Sequence, residues 1–485
     1  MNASLVRPAL YIASLCGLYL STAMFLPAMI DLYYGDDDWQ VFALSGFMVG
    51  GLSLMTALAT HGPPPVVTKR LAFLMVNLLW AIFSLVGAIP LYLADVELSF
   101  AQALFESVSG ITTTGSTVIV GLDTLSHGIL LWRSLLCWLG GIGIVALGLF
   151  VLPFLKVGGM SIFKLESSDR SDKPFARLAS FTRAFLGVYV LLTLVCMIAY
   201  DLAGMSHFDA LNHAMSTIAT AGFSTHDMSF AHFDNNEAIL VIGTIFLTLG
   251  SLPFSVLILL AVRRQLNTLR DPQIMVFIGY LVAMSVMLAV YHHLRNGVDL
   301  PDALIHSFFN MASILSTGGF ASDDYTLWGP FAVTLAFFAT AMGGCSGSTA
   351  GGIKTYRFVI MFNMIRSGLK RLVYPNAIYP VRYGSVTVDA DAQRGVFLFL
   401  GLFLALWAIG SMVMSMIGYD FLTAISAVLT CLSNVGPGIG PIIGPVGNFS
   451  TISDSALYLL SLMMLLGRLE ILTVLVLLTP VFWRH

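Results

Sequence analysis

Four short stretches decide the fold: Thr112-Thr-Thr-Gly-Ser-Thr117, Thr220-Ala-Gly-Phe-Ser-Thr225, Ser316-Thr-Gly-Gly-Phe-Ala321 and Ser433-Asn-Val-Gly-Pro-Gly438. Laid over one another, they put Gly115, Gly222, Gly319 and Gly436 in register, at separations of 107, 97 and 117 residues. Each follows a short amphipathic segment, beginning at Phe100, Phe208, Leu300 and Tyr419. Those segments, of roughly 10–15 residues, are too short to cross a bilayer and fit re-entrant half-helices. Asp209, Asp302 and Asp420 fall near their starts, where a carboxylate suits the positive end of a helix. A long apolar run lies on either side of each, so one helix–loop–helix unit occurs four times.

The rest of the chain agrees. Of 485 residues, 57% are hydrophobic and 10% charged, with a mean hydropathy of +0.88. A soluble domain carries about 25% charge, so an ordinary globular enzyme is excluded. Runs such as Leu71–Leu93, Phe185–Tyr200, Ala238–Val262, Met275–Tyr291 and Val396–Ile417 are long enough to cross the hydrocarbon core. The fold class expected is an all-α polytopic membrane protein with four pseudo-repeats around one central pore and a leading two-helix hairpin. The expected units are the hairpin 1–66, then repeats 67–160, 161–270, 271–388 and 389–485. That gives ten spans and four half-helices. No short apolar core with a small-residue cleavage site opens the chain, so Pro8–Ile30 is read as the first span. Gly62-Pro-Pro-Pro65 ends the second.

Threading the spans puts every basic residue except Arg133, Arg295, Lys354 and Arg468 on one side, which is 19 of 23. The positive-inside rule makes that side cytoplasmic and leaves both termini there. Acids gather opposite, among them Asp31, Asp36, Asp38, Asp123, Asp227 and Asp234, as a rim able to concentrate cations. The five cysteines lack metal-ligand spacing and indicate no disulfide framework.

Non-helical backbone at membrane depth is tolerated where it is buried in protein or lines a watery cavity. Four such loops would meet around one axis. A dehydrating monovalent cation needs a ring of oxygens, which extended backbone supplies as carbonyls. Glycine admits the backbone angles that aim successive carbonyls one way. No loop carries a carboxylate, which disfavours a divalent-ion site. The alternative, ordinary turns between helices, does not account for four in register.

With these loops the whole chain resembles the TrkH family of bacterial potassium uptake proteins, within the Trk/Ktr/HKT superfamily. The resemblance implies a filter lined by carbonyls of Thr113, Thr114, Thr220, Ala221, Thr317, Gly318, Asn434 and Val435. Gly115, Gly222, Gly319 and Gly436 would be its family glycines, and the fourth loop departs most from the Thr-x-Gly-Phe form. The resemblance also implies a bacterial inner-membrane location, a homodimer and a TrkA-type cytoplasmic regulatory subunit that senses nucleotide. Potassium would be the substrate, with membrane lipid around the protein, no covalent cofactor and no nucleic acid.

The run Gly343-Gly-Cys-Ser-Gly-Ser-Thr-Ala-Gly-Gly-Ile-Lys354 interrupts an apolar stretch. So many glycines, at about 1 kcal/mol each, do not sustain a helix. A broken helix with a loop below the filter is expected, including Gly343, Gly344, Cys345, Ser346 and Gly347; in the family this loop is the gate. Lys354 and Arg468 are costly charges in or beside spans. Arg468 is expected to bond the loop and hold it closed, or else to pair with Glu470 or snorkel to the interface. Glu106 is expected to accept loop amides rather than an ion.

Enzyme readings fail. Gly344-Cys-Ser-Gly347 resembles a rhomboid-type protease motif, but the next histidine is His485, the last residue. Gly347–Thr355 is a near miss to a P-loop without its preceding soluble-domain strand. A secondary transporter, marked by inverted repeats and mid-membrane acids, is the principal alternative to a channel-like protein.

Overall fold

Apolar periodicity long enough to span a bilayer, broken at proline and glycine, yields a nearly all-helical chain. The computed structural model describes residues 3–63, 68–147, 174–233 and 236–484. Pro64, Pro65, Lys156, Lys164, Arg170, Lys173, Asp234, the boundary at 160/161 and His485 lie outside the described residues. Among those described, seven helices are long and apolar enough to cross a membrane.

Two further crossings are bent pairs, Glu237–Gly250 with Phe254–Val262 at 101° and Asp454–Arg468 with Ile471–Leu478 at 109°. The run Ala238–Val262 is therefore not the straight span its composition suggests. Pro253 disfavours helix at the residue before it and lacks a donor. In the other pair Glu470 takes a left-handed φ of 60°, which stops the helix. The remaining crossing is Pro330–Ala341 and Thr355–Val373, separated by the expected glycine-rich break. A two-residue antiparallel ladder, Arg382–Tyr383 on Val386–Thr387, is the only sheet among the described residues.

The half-helices are Phe100–Ile111, His207–Ile218, Leu300–Leu315 and Phe421–Ser433. The third, at 16 residues, slightly exceeds the expected length. Three of the four starts are capped by side chains that satisfy first-turn amides, whereas Asp299, before the third, makes no such bond. Ser99 and Gln102 form a reciprocal capping box. Ser206 Oγ accepts from Asp209 N, and Asp420, which precedes its helix, accepts from Leu422 N and Thr423 N.

The leading hairpin packs Leu5–Tyr34 on Trp39–Thr60 through small residues. Gly46 faces Phe25 and the Ser21 carbonyl, and Gly50 faces the Ser21 hydroxyl, a close approach that suits helices in lipid. Its acidic turn does not belong to a free rim. Asp31 is fully buried and accepts from Gly128 N; Asp36 accepts from His127 N at 2.9 Å, and Asp38 from Ser126 Oγ at 2.7 Å. The three carboxylates sit at the N-terminus of His127–Ala146, where the helix dipole favours negative charge. They fasten the hairpin to the first repeat.

Candidate functional site

Each loop carries the same two backbone signatures. Thr113, Thr220, Thr317 and Asn434 adopt left-handed φ of 51°, 49°, 58° and 56°. Two residues on, Gly115, Gly222, Gly319 and Gly436 are left-handed again, at 86°, 87°, 72° and 112°. Non-glycine residues seldom adopt this region, and here three threonines and an asparagine do so at equivalent positions. Each loop is thus an αL–x–αL strand.

The loops close into a ring. A β-carbon built on Gly115 would lie less than 3 Å from the carbonyl oxygen of Ala221. On Gly222 it would meet Gly318 O, on Gly319 Val435 O, and on Gly436 Thr114 O, each again under 3 Å. Going round, each glycine touches the carbonyl of the next loop, and the fourth returns to the first. Thr114, Ala221, Gly318 and Val435 are buried, and among the described residues no donor reaches their carbonyl oxygens. Buried carbonyls are nearly always paired with a donor, water or a cation, so a ring of four without protein donors is free to coordinate a cation. The half-helices end just before this ring and turn the negative ends of their dipoles toward it.

A polar residue nine positions before the glycine steadies the loops of the first three repeats: Glu106, His213 and Asn310. Glu106 accepts from Thr117 Oγ1 at 2.9 Å, Val118 N at 2.8 Å and Arg133 Nε at 2.8 Å. Arg133 also donates to Ser224 O of the second loop at 2.9 Å and lies 4.2 Å over the Phe223 ring. His213 Nε2 bonds Ser224 Oγ at 2.9 Å, and Asn310 Oδ1 accepts from Ser322 N at 3.2 Å. The fourth repeat has Ala427 there; Ser426, one residue earlier, accepts from Ile439 N instead. Both members of the Glu106–Arg133 pair are almost wholly inaccessible. Breaking such a pair costs about 3–5 kcal/mol because the survivor is left charged and dry. Glu106→Ala is therefore expected to lower thermal stability markedly and abolish transport. Glu106→Gln keeps an acceptor for Val118 N and is expected to lose less, as melting in detergent will show.

The break at 342–354 packs directly beneath the ring. Met342 and Ile353 bridge in parallel, Thr355 N donates to Gly344 O, and Tyr280 Oη donates to Gly343 O. Cys345 N donates to Ser251 O, Phe254 N to Gly347 O, and Ser346 N to Gln273 Oε1. Upward, Gly351 N donates to Thr317 Oγ1 at 2.6 Å and Gly352 N to Ser433 O at 2.7 Å. Thr349 Oγ1 bonds Ile218 O at 3.0 Å. The loop is thus buried and tied at many points, and its glycines permit backbone-to-backbone packing.

Arg468 Nη2 donates to Thr349 O at 2.8 Å, and Lys354 Nζ donates to Ala350 O. Arg468 does not pair with Glu470, which instead meets Arg357 at 2.5 Å. Threading put Arg357 on the cytoplasmic side of the membrane. It is wholly buried, held by Glu470 and by the Phe399 ring 3.6 Å away.

At the acidic end, His226 Nδ1 bonds Asp123, while Asp227 accepts from Gly121 N and Leu122 N, joining the loops that follow the first and second half-helices. Desolvation lowers the His226 pKa, but the nearby carboxylates of Asp209 and Asp123 outweigh it, so the net shift is upward.

Residues 53–483 match the family model of the TrkH cation transport proteins. The chain belongs to the TrkH family. It is 40% identical to the Trk system potassium uptake protein TrkI of Halomonas elongata, covering 99% of this chain and 97% of that one. It is 34% identical to the TrkH protein of Escherichia coli, covering 98% of each. The crystal structure of the potassium transporter TrkH from Vibrio parahaemolyticus superposes with a TM-score of 0.92 at 33% identity, over all of both chains. A TrkH-family chain is a membrane cation transport protein and not an enzyme, and its four-repeat helical architecture agrees with that fold.

In this TrkH-family chain the structure brings all twelve filter residues named from sequence into the four loops around the ring. It brings Arg468 and Lys354 to the broken helix below. Sequence reasoning missed Arg133, His213, Asn310 and Arg357. The first was findable by the signal that marked Arg468, a charge inside an apolar span. His213 and Asn310 share the register of Glu106.

Proposed function

We propose that this chain conducts potassium across the bacterial inner membrane through the carbonyl ring of Thr114, Ala221, Gly318 and Val435. The observation that carries the reading is the closed cycle of four buried carbonyls without donors. Oxygens of dipoles rather than full charges suit a weakly hydrated monovalent ion. The preceding residues Thr113, Thr220, Thr317 and Asn434 extend the same lining. The relatives' names as potassium uptake proteins support this ion over sodium.

The units 67–160, 161–270, 271–388 and 389–485 serve as the four pore quarters, with 1–66 outside them and both termini cytoplasmic. The loop 343–354 is the gate, and Arg468, bonded to Thr349 O, holds it shut. Arg366, Lys370, Arg371, Arg382 and Arg394 are exposed. They offer a docking surface to a TrkA-type nucleotide-binding subunit, with the chain acting as a homodimer in lipid.

The test is rubidium uptake into liposomes holding only this protein, driven by an outward potassium gradient. Uptake blocked by potassium but not by excess sodium supports a selective passive pore. Uptake that requires an imposed proton or sodium gradient replaces this reading with coupled transport.

A further inference from the structure

Outside the ring and the gate, one cluster combines side chains whose common chemistry is metal ligation. Asp123, from the outer loop of the first repeat, meets His226 and His232 from that of the second. One donor atom from each lies within 4.8 Å of the others. The imidazoles of His226 and His232 stack at 3.6 Å with an interplanar angle of 2°. His226 Nε2 is buried without a hydrogen-bond partner, 3.5 Å from Asp209 Oδ1.

We propose that Asp123, His226 and His232 form a binding site for a zinc-like transition-metal ion that inhibits transport. Two imidazoles and a carboxylate suit zinc, nickel or copper, whereas magnesium and calcium prefer all-oxygen shells. Zinc holds such ligands at about 2.0–2.2 Å, so the ion replaces the hydrogen bond between His226 and Asp123 and the stacked imidazoles rotate until their nitrogens converge on it. Asp123 and His232 are exposed and free to make that movement. Water completes the tetrahedron.

Inhibition follows from position, and this part rests on the transport reading above. His226 stands four residues beyond Gly222, and its N–H donates to Ser224 Oγ. Ser224 in turn is held by Arg133 and His213. A bound ion would tie the outer loops of two repeats together and add two positive charges near the mouth, where they repel arriving cations.

The experiment has two arms on tag-free protein. In the first, zinc is titrated calorimetrically into the purified protein, with magnesium as control. In the second, rubidium uptake is measured with zinc on both sides of the liposome membrane. One zinc ion per chain is expected, with uptake falling on the same concentration scale. His232→Ala and Asp123→Asn are each expected to weaken binding by at least about tenfold. His232→Ala is expected to leave zinc-free uptake intact. Absence of stoichiometric zinc binding, or binding unchanged in both variants, overturns the site whether or not the protein transports. Binding without loss of uptake overturns the inhibitory role and leaves the conduction reading standing.

Discussion

Gly222→Ala is expected to reduce rubidium uptake by at least about tenfold and to weaken exclusion of sodium. Gly222 sits at a φ of 87°, where an L side chain is strained. A β-carbon there would also lie under 3 Å from Gly318 O, a backbone atom with nowhere to go. Strain of this kind costs about 1–3 kcal/mol, and every 1.4 kcal/mol is about a factor of ten. The loop therefore relaxes by moving the ring oxygen itself. Gly279→Ala is the matched control, because nothing lies within 4 Å of a β-carbon built at Gly279. Uptake per folded protein, with melting temperature measured alongside, separates a damaged ring from a damaged fold. A folded Gly222→Ala protein with full uptake and undiminished selectivity contradicts the ring as the selective element.

Arg468→Ala is expected to raise passive rubidium flux by about tenfold or more in the absence of any regulatory subunit. Its guanidinium donates to Thr349 O and stands almost fully buried beneath the ring. A hydrogen bond to a charged group contributes about 1.5–3 kcal/mol, enough to move a closed-to-open ratio by ten- to a hundredfold. Removing the buried positive charge also lowers the barrier to a cation on the same path. Arg468→Lys keeps the charge but loses the planar fork, so an intermediate flux is expected. If Arg468→Ala folds and its flux equals that of the parent, this contact does not hold the gate.

How much of this was legible in the sequence depends on the range of the interaction. The four glycines are visible because steric permissiveness is written into residue type. The left-handed threonines are not, since nothing in Thr113, Thr220 or Thr317 declares a positive φ; each is the cap that closes its half-helix, with the next N–H bonded five residues back, as Thr114 N is to Ser109 O. Ring closure is invisible for a different reason, as every contact in it joins residues of different repeats. The break at 343–354 was legible as glycine density, whereas the hydrogen bonds that tie it to Ser251, Gln273, Thr317 and Ser433 needed the fold. The burial of Arg357 was not legible, because it stands at the start of Thr355–Val373, a helix that carries three further basic residues, all exposed. Its partner Glu470 lies 113 residues away at a helix break that composition does not announce. Asp31, Asp36 and Asp38 read as surface charge, and their role as caps for a helix about ninety residues further on needed the fold.

On the reading proposed above, the carbonyls of Thr114, Ala221, Gly318 and Val435 together hold a monovalent cation. The most direct measurement is anomalous diffraction from crystals of this protein soaked in rubidium, with sodium-soaked crystals as reference. The account predicts a rubidium peak on the ring axis, within coordinating distance of those four oxygens, that excess potassium displaces and sodium does not. Transport-competent protein that shows no peak there, or an equal occupancy lost to sodium, contradicts it.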